Sequence, residues 1–247
     1  MSNAEKFRWP DSSVSDIIIN VGRHLLGKQY VGGVLDKPAK ESLVINLEEL
    51  DCVTFLESTV ALAIVIKERK TGFEDFCNQL KFIRYRNGVQ GDYTSRLHYF
   101  YEWIVNNQNK GILENITESI GGKPLVKNIN FMSRNSSKYP GLSLDSSIDE
   151  IRKSEEWLNS LNKHYIPKAE IRQRESMIRS GDLIAITTTV EGLEVAHVGF
   201  AIRVNNSLHF MHASSTNKKV EVSELPLHEF IQNKASWSGI IVARLVH

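Results

Sequence analysis

From residue 52 to residue 67 apolar side chains recur at intervals of three and four, with Val53, Leu56, Val60, Ala63 and Ile64 along one line. That spacing stacks side chains on one face of a 3.6-residue turn. Phe55, Leu62 and Ile66 add apolar character on the other sides, so the segment predicts a helix buried over most of its surface. A more ordinary amphipathic helix is expected over residues 15–26, where Ile17, Ile18, Val21, Leu25 and Leu26 share one side and Gly27 ends the run. Residues 73–84, 94–106 and 147–161 predict further helices, the second carrying Leu97, Phe100, Tyr101 and Ile104. Between them, Lys28 to Gly33 reads as a glycine-bearing loop and residues 43–47 as a short strand. The serine-rich stretch 133–147, with Pro140-Gly141 inside it, predicts a long loop or lid forming a wall beside a site.

Towards the C-terminus the period changes. Residues 182–188, 193–204, 208–213 and 239–246 carry the β-branched and alternating pattern of strands. No repeat is visible. The expectation is one α+β domain over residues 1–247, helices first and an antiparallel sheet last.

Composition adds mainly exclusions. With 247 residues and 41% hydrophobic side chains the chain can build a substantial core. Lys and Arg total 30 against 29 for Asp and Glu, a net charge of +1 that supplies no field for nucleic acid or an anionic membrane surface. No apolar run approaches the roughly 18–20 residues of a bilayer span, so membrane insertion is not expected. Met1 to Pro10 lacks the regions of a signal peptide, and Ser2-Asn3-Ala4 reads as a cloning scar, which predicts that a native leader has been removed. The two cysteines, Cys52 and Cys77, have neither a metal nor a redox spacing and are too few for a disulfide scaffold. Neither a metal nor a cofactor is called for.

Cys52 nevertheless occupies an unusual position. Asp51 is a good N-cap residue, which puts Cys52 in the first turn of the buried helix, where unpaired N–H groups and the helix dipole favour an anion. The thiolate is the nucleophilic form of cysteine, so the position predicts an activated sulfur. Cys77, between Phe73, Phe76 and Leu80, has no such cap and reads as core. For a base, His197 and His212 fall on either side of Asn205-Asn206. If those asparagines form a two-residue hairpin turn, Val204 faces Ser207, His197 faces Ser214 and Gly199 faces His212. The two imidazoles are then diagonal neighbours on one face, near enough for one ring to set the other's tautomer.

Taken together, Tyr30-Val31-Gly32-Gly33, Asp51-Cys52, His197-Val198-Gly199-Phe200 and Phe210-Met211-His212-Ala213-Ser214 resemble the NlpC/P60 superfamily of cell-wall peptidases, in that superfamily's order. The likeness is closer to the DUF1460 family of NlpC/P60-type N-acetylmuramoyl-L-alanine amidases. It is carried by Leu50-Asp51-Cys52-Val53-Thr54-Phe55, Ile83-Arg84-Tyr85-Arg86, Ser95-Arg96-Leu97-His98-Tyr99-Phe100, Phe131-Met132-Ser133, Tyr165-Ile166-Pro167-Lys168 and Gly181-Asp182. The resemblance implies a papain-like fold with the nucleophile at a helix start packed on the C-terminal sheet. It implies Cys52 as nucleophile, His197 as general base and then acid, His212 as the group orienting His197, and Tyr30 at the oxyanion site. The implied substrate is a peptidoglycan fragment, cut between N-acetylmuramic acid or its anhydro form and L-Ala, in the bacterial periplasm or outside the cell.

Asp51, Arg84, Arg96, Tyr99 and Lys168 lie in the family-like motifs and are expected to bind substrate, since a muropeptide presents carboxylates that a guanidinium fork suits. Arg86 is a candidate on the same grounds, and Tyr93 and Tyr99 rank below the cations, with packing as their plainer reading. Against each basic residue stands the plainer reading of a solvated charge or a fold-holding ion pair. Val31 stands where the wider superfamily often has tryptophan, which leaves the shape of the adjoining subsite open. Three alternatives remain: an endopeptidase cutting γ-D-Glu–diamino acid bonds, a non-catalytic muropeptide-binding module, and a lipid-acyl transferase.

Overall fold

The computed structural model describes residues 8–37 and 40–246; the Ser2-Asn3-Ala4 reading lies outside them. Helix α1 (Val14–His24) starts at Ser13, whose hydroxyl accepts the Asp16 N–H. Helix α2 (Cys52–Lys67) is buried almost throughout, from Thr54 to Ile66, as its all-round apolar sequence requires. Helix α3 (Phe73–Arg84) follows. The next segment differs from the expected helix over 94–106: Tyr93–Ser95 forms a single 3-10 turn and the helix, α4, is Phe100–Asn109. The cause is local, because the Asp92 carboxylate caps the Thr94 N–H and closes the turn, and Arg96 is then drawn extended into a bridge with Tyr85.

Two loop expectations are also corrected. Residues 43–47 form no strand; Leu43, Ile45 and Leu47 pack half-buried on the core while the Val44 carbonyl accepts from Arg84. Their alternation therefore records core contact without a ladder. The ladder lies just beyond, where β1 (Gln29–Tyr30) pairs parallel with β2 (Glu49–Leu50). The stretch 133–147 is no open loop either: it holds the end of a helical turn Phe131–Arg134, two 3-10 turns at Ser136–Lys138 and Pro140–Leu142, and the start of helix α5 (Asp145–Ser160). Gly141 packs so tightly on the Tyr93 ring that an added Cβ would sit 2.1 Å from it.

The remaining strands are β3 (Leu113–Asn115), β4 (Lys123–Pro124), β5 (His164–Pro167), β6 (Leu183–Thr188), β7 (Val195–Val204), β8 (Ser207–Ser214), β9 (Lys219–Val222) and β10 (Trp237–Leu245). They join β1 and β2 in one sheet of order β2-β1-β9-β8-β7-β6-β10-β5-β4, with β3 also on β10. Both faces are covered. Leu183 and Ala185 of β6 enter one core with α1, α2 and α4, whereas Ile184 and Ile186 enter a second with Ile171, Ile178 and helix α6 (Leu227–Gln232). This explains why β6 is buried at every position instead of at every other one. The expected α+β architecture is observed, with α2 packed on β7 and β8 and Phe55 meeting Phe200 edge-on at 5.7 Å.

Candidate active site

Asp51 begins α2 with a complete capping box: its carboxylate accepts the Thr54 N–H at 2.8 Å and its own N–H donates to the Thr54 hydroxyl at 2.9 Å. Cys52 is consequently fixed in the first turn, half-buried against β7. With Val53, His98, Tyr99, Glu194, Ala196 and His197, among others, it lines a cavity of about 100 Å³. Helix placement was expected to favour the thiolate, but burial outweighs it: loss of solvent and then the Asp51 charge push the thiol up to about 12, against the N–H groups of Val198, Val53 and Cys52 itself. Burial thus favours the thiol over the thiolate at Cys52.

The asparagine turn is as the dipeptide requires. Asn205 and Asn206 both take positive φ, 49° and 69°, the conformation of a type I′ hairpin, and Val204 pairs with Ser207. The paired register runs from Val204–Ser207 to Phe200–Met211, and just past its end His197 and His212 meet. Their contact is direct: His197 Nε2 lies 2.8 Å from His212 Nδ1, with the rings nearly perpendicular at 86°. Gly199 makes this possible, since a Cβ there would come within 2.9 Å of the His212 Cβ. A β-bulge in the β6–β7 ladder immediately before His197 leaves Ala196 exposed at the cavity rim. Around the rings stand Phe210, Phe230 and Trp237, the last stacked on His197 at 6.1 Å. A second cavity, of about 250 Å³, opens on this side and is lined by both histidines, Ser214, Thr216, Asn217, Phe230, Lys234 and Trp237.

His197 thus borders both cavities, and its Nδ1 is not used by His212. Among the described residues no hydrogen bond joins the Cys52 sulfur to either ring; Cys52 and His197 share the lining of the smaller cavity, and His212 lines the other. Tyr30, on β1, is close enough for charges on Cys52 and Asp51 to act on it, and desolvation followed by those charges pushes its phenol up to about 12, so it remains a donor.

The expected substrate cations are otherwise engaged. Arg84, 2% exposed, donates from Nε to Glu57 at 2.7 Å and from Nη1 to the Val44 carbonyl. Arg86 holds Glu102 and the Thr94 carbonyl. Arg96 holds the Leu35 carbonyl and Asp36. Tyr99 donates to Glu155 and accepts the Met132 N–H, reaching the cavity only as part of its wall. Lys168 lies in a 3-10 turn after β5. None of Arg84, Arg86, Arg96 and Lys168 lines either cavity; the fold-holding reading describes the three arginines. The wall formed by 140–141 belongs to a different cavity, beside Asp36, Glu41 and Tyr93. Sequence reading passed over Lys234, Trp237 and Phe230, which do line the histidine side, and Glu194, whose buried Oε1 accepts the Tyr101 N–H at the start of α4.

These buried groups predict a two-sided dependence of stability on pH. Burial lowers His197 to about 3 and His212 to about 4 from an ordinary 6.5. Below 6.5 the unfolded chain therefore binds protons that the folded one refuses, and stability falls as pH drops towards 4. Glu194 acts oppositely: desolvation raises it from 4.5 to about 7, so stability falls as pH rises through that window. Urea midpoints from pH 4 to 8 are expected to show a weaker acid loss in His212→Asn and a weaker loss between pH 4.5 and 7 in Glu194→Gln. Each effect is on the order of 2 kcal/mol.

The α+β fold and its solved relatives place the chain among amidase-like hydrolases. The structure aligns with an N-acetylmuramoyl-L-alanine amidase from Bacteroides uniformis ATCC 8492 at 35% identity and TM-score 0.91, over 96% of this chain and 100% of that one. A Bacteroides fragilis protein provisionally named a xylanase is 34% identical with TM-score 0.86, over 91% and 99% of the two chains. A Legionella pneumophila DUF1460 protein, 23% identical with TM-score 0.71 over 96% and 90%, shares the fold. Among curated proteins none matches. Residues 20–240 match the AmiA-like model, described as N-acetylmuramoyl-L-alanine amidase-like, and the chain belongs to that family.

Proposed function

We propose that this protein is a cysteine amidase of the NlpC/P60 type. It hydrolyses the amide between N-acetylmuramic acid, or its anhydro form, and the L-Ala of peptidoglycan fragments through an acyl-enzyme. The observation that carries this reading is the 2.8 Å contact of His197 Nε2 with His212 Nδ1, which leaves His197 Nδ1 to serve the cavity that Cys52 lines. Because burial disfavours charge on both Cys52 and His197, the proton moves during attack instead of before it. The thiol proton passes to His197 Nδ1 as sulfur bonds to the carbonyl carbon, and the oxyanion is held by the Cys52 N–H and the Tyr30 phenol. Collapse breaks the C–N bond, His197 giving the proton to the departing L-Ala amine. Water, deprotonated by His197, then attacks the thioester; the muramoyl carboxylate leaves and the thiol regains its proton.

Mass analysis of digested muropeptides tests the bond. The expected products are an intact stem peptide with a free L-Ala amine and a peptide-free sugar. A sugar still bearing a dipeptide would transfer the assignment to γ-D-Glu–diamino acid cleavage, and binding without turnover would reduce the protein to a muropeptide-binding module.

A further inference from the structure

We propose that Glu221 is a positioning residue that fixes the tautomer of His212 and, through it, keeps His197 able to accept a proton. The inference rests on the assignment of His197 as the base. In the β8–β9 ladder His212 lies directly opposite Glu221, so His197, His212 and Glu221 form a row across three neighbouring strands on one face.

For His197 Nδ1 to take the thiol proton it must carry its own hydrogen on Nε2 and donate that to His212 Nδ1. His212 must then carry its hydrogen on Nε2. That nitrogen is buried, in a residue 3% exposed, and has no hydrogen-bond partner. The facing carboxylate oxygen, Glu221 Oε1, is 4.0 Å away, one small side-chain adjustment of about 1 Å from a hydrogen bond. In the opposite tautomer the His212 Nε2 lone pair would point at that carboxylate, and His197 would carry its proton on Nδ1 with no base to offer.

Glu221 is itself held in place. The same oxygen accepts from Asn217 Nδ2 at 2.8 Å, and the Asn217 N–H donates to the Ser214 hydroxyl, so the β8–β9 turn fixes the carboxylate over the ring. The other groups facing His212 are the Ala213 backbone, whose polar influence favours charge on the ring, His197, the Lys234 ammonium and the apolar rings of Phe210 and Phe230. In this surrounding Glu221 supplies the side-chain acceptor that faces His212 Nε2, and it is the one that can favour the Nε2–H tautomer.

Long-range ¹H–¹⁵N correlation of the histidine rings reads the tautomers without any need for turnover. In the wild type His212 and His197 are both expected as Nε2–H forms. Glu221→Leu should shift His212 towards Nδ1–H and lower kcat by roughly tenfold to a hundredfold, as losing an outer-shell orienting group does, with KM unchanged. Glu221→Gln keeps an accepting oxygen and should retain the Nε2–H form and most of kcat. An Nδ1–H His212 in the wild type, or an unaltered ring spectrum in Glu221→Leu, overturns the proposal. If Glu221→Leu fails to fold, the wild-type and Glu221→Gln spectra still decide it. Should the tautomers behave as expected while the wild type turns nothing over, the hydrolase assignment has failed and the role of Glu221 on the rings has not.

Discussion

Replacing Cys52 by alanine is expected to lower turnover of muropeptides by at least about 10⁴-fold while leaving the fold and substrate binding intact. The size of the effect follows from the absence of a substitute: the covalent step needs a nucleophile at the first turn of α2, and the neighbouring side chains there, Asp51 and Val53, supply a capping carboxylate and an alkyl group. Cys77 offers no control problem, since it sits in α3, outside both cavities beside the histidines, and Cys77→Ala should keep full activity. The variant's near-wild-type unfolding midpoint must accompany the loss, because Cys52 packs half-buried against the core. Single-turnover mixing followed by intact-mass analysis adds the chemical proof: the wild type should gain the mass of one muramoyl group, and Cys52→Ala none. Retained turnover in Cys52→Ala would end the cysteine mechanism, and an activity lost together with the fold would be read from Cys52→Ser instead.

Much of this arrangement was legible in the chain because it is governed by local rules. An aspartate before an apolar 3.6-residue pattern announces the start of α2, and Asn-Asn between two β-rich runs sets a register from which the diagonal placement of His197 and His212 follows. What escaped was whatever depends on partners distant in sequence. The reach of Arg84 to Glu57 and of Arg96 to Leu35 and Asp36 spans some tens of residues or more, and no spacing rule separates a guanidinium held by the fold from one offered to a ligand. Glu221 was hidden for another reason: the segment between β8 and β9 carries no decisive turn dipeptide, so the register that puts Glu221 opposite His212 had no anchor. The state of the Cys52 sulfur escaped as well, since a helix dipole can be read from sequence and the desolvation that overrides it cannot.

Arg84, which pairs with α2 through Glu57, gives the other large effect, and it separates the two roles offered for it. Glu57 and Arg84 are each 2% exposed and 2.7 Å apart, and the Glu57 carboxylate also accepts from Trp103 Nε1 at 3.1 Å. Arg84→Met should therefore strand a buried carboxylate and the Val44 carbonyl, costing about 3–5 kcal/mol and lowering the Tm by on the order of 10 °C. Adding Glu57→Leu should recover only part of this, because the Trp103 N–H and the Val44 carbonyl still lack partners. Since Glu57 lies on α2, the pair ties the helix that presents Cys52 to α3 and to the 43–47 segment. The pair thus acts by holding that helix, and well below the lowered Tm the folded fraction of Arg84→Met should keep the wild-type KM. A raised KM with an unchanged Tm would reverse the assignment and return Arg84 to the substrate.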